Sequence, residues 1–288
     1  MRGSWLRNGS FHRKGFQKPG KHRKPSGRNH TWVLCAYGES PYLEECIRSL
    51  LSQTVHSKIL IATSTPNEMI RQAAKWYQLP LHVNAGEGGI TQDWNFALSC
   101  AGTRYVTIAH QDDVYESTYL ERALAGLGGA RHPLLFFSDY YEIRDGKKVR
   151  SNRNLRIKRV MLFPFRSRLL QNSVFTRRRV LSLGSPIDCP SVTYVMPNLP
   201  KEPLFDTSYR VAQDWEAWER ISRMRGTFVF DPQLLMGHRI HKASTTTELI
   251  ADQTRTKEEL SIFRRFWPEK IAGWIEGRYR KGQESNRL

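Results

Sequence analysis

Two adjacent carboxylates, Asp112 and Asp113, end an apolar run that begins Tyr105-Val106-Thr107-Ile108-Ala109 and continues through His110 and Gln111. A strand of this kind holds such a pair at the carboxyl edge of an α/β sheet, where ligands usually sit. Adjacent carboxylates in a cleft repel unless a cation lies between them or hydrogen bonds satisfy them. Mg²⁺ typically binds through one or two carboxylates plus substrate phosphates. A solvated turn, in which Asp is common, is the plain alternative. Two further polar clusters stand at the ends of other predicted elements: Asp214 with Glu216, and His238 with His241. Metal-assisted group transfer uses these parts. Carboxylates hold a cation that neutralises a departing phosphate. Another carboxylate acts as general base on an attacking hydroxyl, and histidine completes a metal sphere or holds a phosphate.

The elements that must position these residues read as alternating strand and helix. Trp32–Tyr37 is an apolar strand, and Ser40-Pro41 opens a helix carrying Leu43, Ile47, Leu50 and Leu51. Lys58–Ala62 is the second strand. Pro66 opens a helix with Met69, Ile70, Ala73, Ala74 and Tyr77 on one face. Leu81–Val83 is a short third strand, and Gly86, Gly88 and Gly89 form a loop before a helix capped by Thr91. Tyr105–Ala109 is the fourth strand, Ser117 starts another helix, and Leu134–Ser138 is the fifth strand. Strands separated by helices of this length imply parallel crossovers and a doubly wound sheet. The glycine loop is not a dinucleotide fingerprint, because no G-x-G-x-x-G follows the first strand.

After residue 139 the pattern changes. Tyr140–Val149 reads as a hairpin around Asp145-Gly146. Arg150–Arg179 interleaves Lys and Arg with Leu, Phe and Met. It is either a surface helix with snorkelling cations or a basic amphipathic element for an anionic membrane or a phosphorylated acceptor. A helix starts at Gln213, with Trp215, Trp218 and Ile221 on one face. Thr227–Phe230 and Gln233–Gly237 read as strands, and Thr254–Trp267 as a helix.

The 288 residues fit one large domain or two modest ones. With 39% hydrophobic and 11% aromatic residues a real core is available. The formal charge of +18 favours polyanions. Nine Lys or Arg fall within residues 1–30, and the first acid is Glu39. Such a segment is expected to be a disordered basic tail, and it lacks the apolar core of a secretory signal. Four cysteines, Cys35, Cys46, Cys100 and Cys189, show no metal spacing; Cys35, Cys46 and Cys100 fall in apolar patterns and read as buried free thiols, which fits a reducing, cytoplasmic compartment. No stretch approaches the roughly 20 apolar residues of a membrane span.

In order and spacing, these motifs resemble a family 2 glycosyltransferase of the GT-A fold over about residues 31–245. The opening strand and polar turn match Val33-Leu34-Cys35-Ala36-Tyr37-Gly38-Glu39. The helix that follows ends in Ser-Gln-Thr. A D-x-D-D type motif is matched by His110-Gln111-Asp112-Asp113, and an acidic helix start by Gln213-Asp214-Trp215. An Arg-x-His with Ser and Thr beyond it is matched by Arg239-Ile240-His241 and Ser244-Thr245. The resemblance implies an α/β GT-A domain with a mostly parallel, Rossmann-like sheet. Residues 31–138 would be its nucleotide-sugar-binding half and 139–268 its acceptor-binding half, followed by a basic tail over 269–288. It implies inverting transfer of a sugar from a nucleotide-diphosphate sugar to an acceptor hydroxyl, as in cell-envelope polysaccharide synthesis. The basic segment Arg150–Arg179, not the resemblance, suggests a glycan or lipid-linked acceptor and peripheral contact at the inner face of an anionic membrane. Asp214 would be the general base. Asp112, with Asp113 and His241, would hold Mg²⁺ or Mn²⁺ on the diphosphate. Ala36, Tyr37, Glu39, Ser64, His110 and Asp112 would line the donor.

Two departures stand out. His110 replaces the first acid of the D-x-D-D pattern, and Thr63-Ser64-Thr65 replaces an Asp-Gly-Ser turn that commonly helps hold the nucleotide base. A non-catalytic relative and a basic protein for nucleic acid or anionic surfaces are the rival classes. No zinc spacing, RNP pattern or helix-turn-helix signature supports specific nucleic-acid recognition. A nucleotidyltransferase would need a Gly-rich phosphate loop with Lys after the first strand, and Gly38-Glu39-Ser40-Pro41 is not one.

Overall fold

A computed structural model describes residues 26–201, 203–241 and 254–284. The expected tail over residues 1–25, and Ser244 and Thr245, lie outside the described residues. The chain enters through a 3₁₀ turn, Gly27–Asn29, into β1 (His30–Cys35). The expected tail therefore gives way to ordered structure before residue 30. Next come α1 (Leu43–Leu51), β2 (Lys58–Thr63), α2 (Glu68–Trp76), β3 (Leu81–Val83), α3 (Ile90–Ala101) and β4 (Tyr105–His110).

Strands β1 to β4 pair in parallel in the order β3-β2-β1-β4. Such strands are covered on both faces, so they read as unbroken apolar runs. Along β1, Trp32 and Leu34 enter one core layer with Leu43, Ile47 and Leu50 of α1, whereas Val33 enters the other with Trp94, Ala97 and Leu98 of α3. That split is the two-residue alternation of a pleated strand.

The second half is antiparallel and mixed. After β5 (Val114–Tyr115) and α4 (Tyr119–Gly129), β6 (Pro133–Arg144) turns through Asp145-Gly146 into β7 (Lys147–Val149). Both turn residues have positive φ, 48° and 73°, as a two-residue hairpin requires. Helices α5 (Arg153–Leu162), α6 (Arg168–Gln171) and α7 (Val174–Leu181) follow, then β8 (Val192–Val195), α8 (Gln213–Ser222), β9 (Thr227–Ile240), α9 (Thr254–Arg264) and α10 (Glu269–Glu284). The sheet continues β4-β8-β6-β9-β5, with β8 antiparallel to its neighbours and β6 parallel to β9.

Several local expectations shift. The fifth strand and the first arm of the hairpin are one strand, β6. The two expected strands at 227–230 and 233–237 are likewise one, β9, which pairs along β6 with register breaks near Asp139. Helix α2 starts after Asn67, whose side chain accepts the Ile70 N–H at 2.9 Å, so Asn67 and not Pro66 sets the start. Thr91 lies inside α3 and donates to the Tyr209 carbonyl at 2.6 Å instead of capping. Helix α4 starts at Tyr119, two residues later than expected. Cys35 and Cys100 are half-buried; Cys46 and Cys189 are buried, and all four are free. Residues 269–284, expected as a tail, form α10, where buried Ala272 and the Tyr279 ring (5.7 Å from Phe263) pack on the core.

Candidate active site

The carboxyl end of β4 meets the end of β9 through the short strand β5. Val114 pairs with Gly237 and Tyr115 with Met236, antiparallel. Continuing that register backward brings Asp113 and Asp112 to His238, Arg239 and His241. Asp113 is fully buried, and its Oδ1 accepts the Arg239 backbone N–H at 2.9 Å and lies 3.1 Å from His238 Nδ1. Asp112 is about one-fifth exposed; its Oδ2 lies 2.9 Å from His241 Nε2. The Arg239 guanidinium donates to the Asp112 carbonyl at 2.8 Å and to Glu45 at 2.6 Å, and stacks over the Tyr42 ring at 4.2 Å. The three expected residues Asp112, Asp113 and His241 are thus brought together, but in different roles. Asp113 is enclosed behind Asp112, and only Asp112 and His241 keep partly open faces.

His238 stands between two acids, with Asp188 Oδ2 at 3.9 Å as well as Asp113. Burial opposes charge on its ring, but the Asp188 and Asp113 carboxylates outweigh it and raise the imidazole to about 10. Burial also pushes Asp113 up, and His238 pulls it back. Asp214 opens α8, half-buried, and accepts the Trp215 N–H at 2.6 Å. Burial raises its carboxyl to about 6, against the Trp215 N–H; nearby Asp188 adds to the rise. Asp188 therefore links the Asp112–His241 cluster to Asp214. Sequence reasoning missed Asp188, which lies in a loop with no periodicity. Its one signal is that it is the first acid after Asp145. Glu216, the fallback base, is buried and held by Arg220 at 2.8 Å and Arg265 at 2.8 Å, so it belongs to a packing network.

The loops after β1 and β2 meet beside this cluster. Gln111 clamps Tyr37 by two reciprocal bonds, accepting its N–H at 3.0 Å and donating to its carbonyl at 2.7 Å. The Tyr37 side chain is left 61% exposed, whereas Ala36 is buried and Glu39 is exposed. Gly38, at φ 58°, donates its N–H to Thr65 and accepts from Asn67, both at 2.7 Å. Ser64 donates to Asp93 at 2.7 Å, and Asn84 holds the other oxygen of Asp93 at 3.1 Å. His110 stacks on Trp94 with ring centres 5.1 Å apart.

Among the described residues no three His, Cys, Asp or Glu side chains stand together as a closed metal site. Asp112 and His241 offer one carboxylate and one imidazole. That pair fits an ion whose remaining ligands are diphosphate oxygens and water. His110 Nε2, Asp113 Oδ2 and Asp188 Oδ2 are buried polar atoms with no hydrogen-bond partner among the described residues.

The description "Glycosyl transferase family 2" belongs to a family model that matches residues 31–196, more than half of the chain. The chain belongs to glycosyl transferase family 2. An uncharacterized glycosyltransferase of Haemophilus influenzae is 23% identical over 240 residues, which cover 79% of this chain and 70% of that protein. Among solved structures, S. aureus TarS 1–349 is 14% identical with a TM-score of 0.59, covering 86% of this chain and 69% of that one. The mannosyltransferase PcManGT from Pyrobaculum calidifontis, in complex with GDP-Man and Mn²⁺, is 16% identical with a TM-score of 0.58, covering 86% and 67%. Of a longer TarS chain this family 2 member spans 42%. At these identities the structural likeness is one of fold, and the fold is the glycosyltransferase one. The family match makes the chain a transferase, and the matched segment contains β1, β4 and the Asp112–Asp113 pair.

Proposed function

We propose that this chain transfers a glycosyl group from a nucleotide-diphosphate sugar to an acceptor hydroxyl with inversion, Asp214 serving as general base. The observation that carries this reading is the place of the Asp214 carboxyl, half-buried in the first turn of α8 beside Asp188, which itself stands 3.9 Å from His238; burial there raises the carboxyl to about 6. A base is most effective when its pKa lies near the working pH. A helix N-terminus alone would favour the charged form, so burial beside Asp188 is what sets this carboxyl apart.

Asp112 and His241 would hold Mg²⁺ or Mn²⁺, which when bound supplies positive charge against the donor diphosphate. Asp188 and Asp113 together favour a charged His238, and the Asp113 bond to the Arg239 N–H would fix the backbone that carries His241. Arg239 in turn holds the Asp112 carbonyl. Tyr37 offers an exposed ring at the donor side, and Ser64 orients Asp93 there. Residues 31–138 would form the donor half and 139–268 the acceptor half. TarS is known in complex with UDP and with UDP-GlcNAc, and PcManGT with GDP-Man and Mn²⁺; these support a nucleotide-sugar donor here. The acceptor class proposed is a lipid-linked or envelope glycan.

The test compares wild type with Asp214→Asn, measuring nucleoside diphosphate release from a nucleotide-sugar panel with an envelope lipid extract as acceptor source. Donor affinity is expected to persist and turnover to fall by about 10²–10⁴-fold, the usual contribution of general base catalysis. Undiminished turnover in Asp214→Asn would remove the base assignment.

A further inference from the structure

Residues 146–187 contain twelve Lys or Arg and no acid. The same stretch exposes large apolar side chains: Val160 (74%), Phe163 (65%), Leu169 (87%) and Phe175 (72%). Soluble surfaces rarely gather several such side chains in one short segment without a partner. Helix α5 shows how the two properties share a side. Leu155 and Leu162 are buried, and Lys158 and Arg159 turn inward to Tyr140 and Asp139 at 2.7 Å each. The opposite side carries exposed Arg153, Arg156, Ile157 and Val160, spaced i, i+3, i+4 and i+7, and runs on into Phe163. Beyond it, Arg166 lies over the Phe163 ring at 5.9 Å and Arg179 over the Phe175 ring at 5.6 Å. Arg166, Arg168 and Arg179 are exposed and form no ion pair with any described residue.

We propose that the outer side of α5, the 3₁₀ turn Phe163–Arg166, α6 and the start of α7 together form a surface that docks on an anionic lipid bilayer. Charge complementarity selects the partner's sign, and the protruding apolar side chains select hydrocarbon over a purely polar polyanion. Interfacial elements combine Lys and Arg with Phe and Leu in this way. No described helix is long and apolar enough to cross a membrane, so the surface would act by peripheral contact. Lys158 on the inner side of α5 donates to Tyr140, whose ring lies 6.2 Å from that of His238, so docking would bring the bilayer alongside the proposed transfer site. The docking proposal stands whether or not the chain transfers sugar.

The test uses the full chain in sedimentation with phosphatidylcholine vesicles, with and without phosphatidylglycerol. Two triple variants are compared with wild type: Phe163→Ser/Leu169→Ser/Phe175→Ser and Arg166→Glu/Arg168→Glu/Arg179→Glu. All six side chains are exposed, so unfolding midpoints should stay near that of wild type. Phosphatidylglycerol vesicles are expected to bind wild type at least about tenfold more tightly than either variant, since each basic residue and each buried apolar group adds to affinity. In wild type, amide exchange over residues 160–176 should slow when those vesicles are added. Unchanged binding in the apolar variant would overturn the proposal, because charge alone, including that of residues 1–30, would then suffice. Unchanged exchange over 160–176 in vesicle-bound protein would overturn it as well. So would a charge-reversed variant that loses affinity for a single-stranded oligonucleotide while vesicle binding is untouched; the surface would then serve nucleic acid.

Discussion

Asp214 faces two opposed demands, and pH separates them. Its folded carboxyl is raised from 3.8 to about 6. A carboxyl raised on folding favours the protonated form, so its contribution to stability is full below pH 3.8 and is lost as pH rises through about 6. Asp214→Asn keeps an oxygen for the Trp215 N–H and carries no charge. It should be more stable than wild type at pH 8 by on the order of 2 kcal/mol, with no difference below about pH 4. Urea unfolding across that range checks it; equal stability at both ends would mean that burial does not strain the carboxylate. Turnover should rise with pH through about 6 for the same reason, since only the unprotonated carboxylate accepts the hydroxyl proton. Asp113 makes the opposite case. Truncating it to Ala would leave the buried Arg239 N–H without its acceptor and His238 with Asp188 alone, a loss of about 1–3 kcal/mol for an unsatisfied buried donor. Asp113→Asn should cost less, and denaturant midpoints would separate the two.

At the scale of elements, the site depends on β5, β6 and β9 meeting in one register. Gly237 sits where β9 passes both neighbours, and a Cβ there would stand 2.6 Å from the Tyr141 ring on β6. Gly237→Ala should therefore cost about 1–3 kcal/mol by overpacking, and it should weaken donor binding because His238 and Arg239 follow directly. Retained stability and affinity would show that the strands yield. The apolar runs made β1 to β4 legible in the sequence, because parallel strands covered on both faces need no other pattern. The continuity of β6 and β9 was not legible. Polar Ser138 and Asp139 interrupt one, and Asp231-Pro232 the other; cross-strand pairing carries both through. Asp112, Asp214 and His241 were legible as strand-end and helix-start polar residues. Asp188 was not, because a loop residue reaches its partners only through tertiary packing.

For the whole molecule, charge is the most uneven property. The excess of +18 is concentrated in residues 1–30 and in the acid-free stretch 146–187. Binding to nucleic acid through such charge is expected to be non-specific and to fall steeply as salt rises, by counterion release. Filter binding of a random oligonucleotide at low and high salt tests this; affinity that survives about 1 M salt would point to a dedicated nucleic-acid surface. The central claim remains the metal-dependent donor site built on Asp112 and His241. The most direct measurement is a thermal-shift panel of nucleoside diphosphates and nucleotide-sugars, each with and without Mn²⁺, on wild type and Asp112→Ala. A ligand bound only by the folded state raises the unfolding temperature by mass action. A rise of a few degrees is expected for one nucleotide class, present only with Mn²⁺ and absent in Asp112→Ala. A rise of equal size without metal, the same rise in Asp112→Ala, or no rise with any nucleotide in the folded protein would contradict the claim.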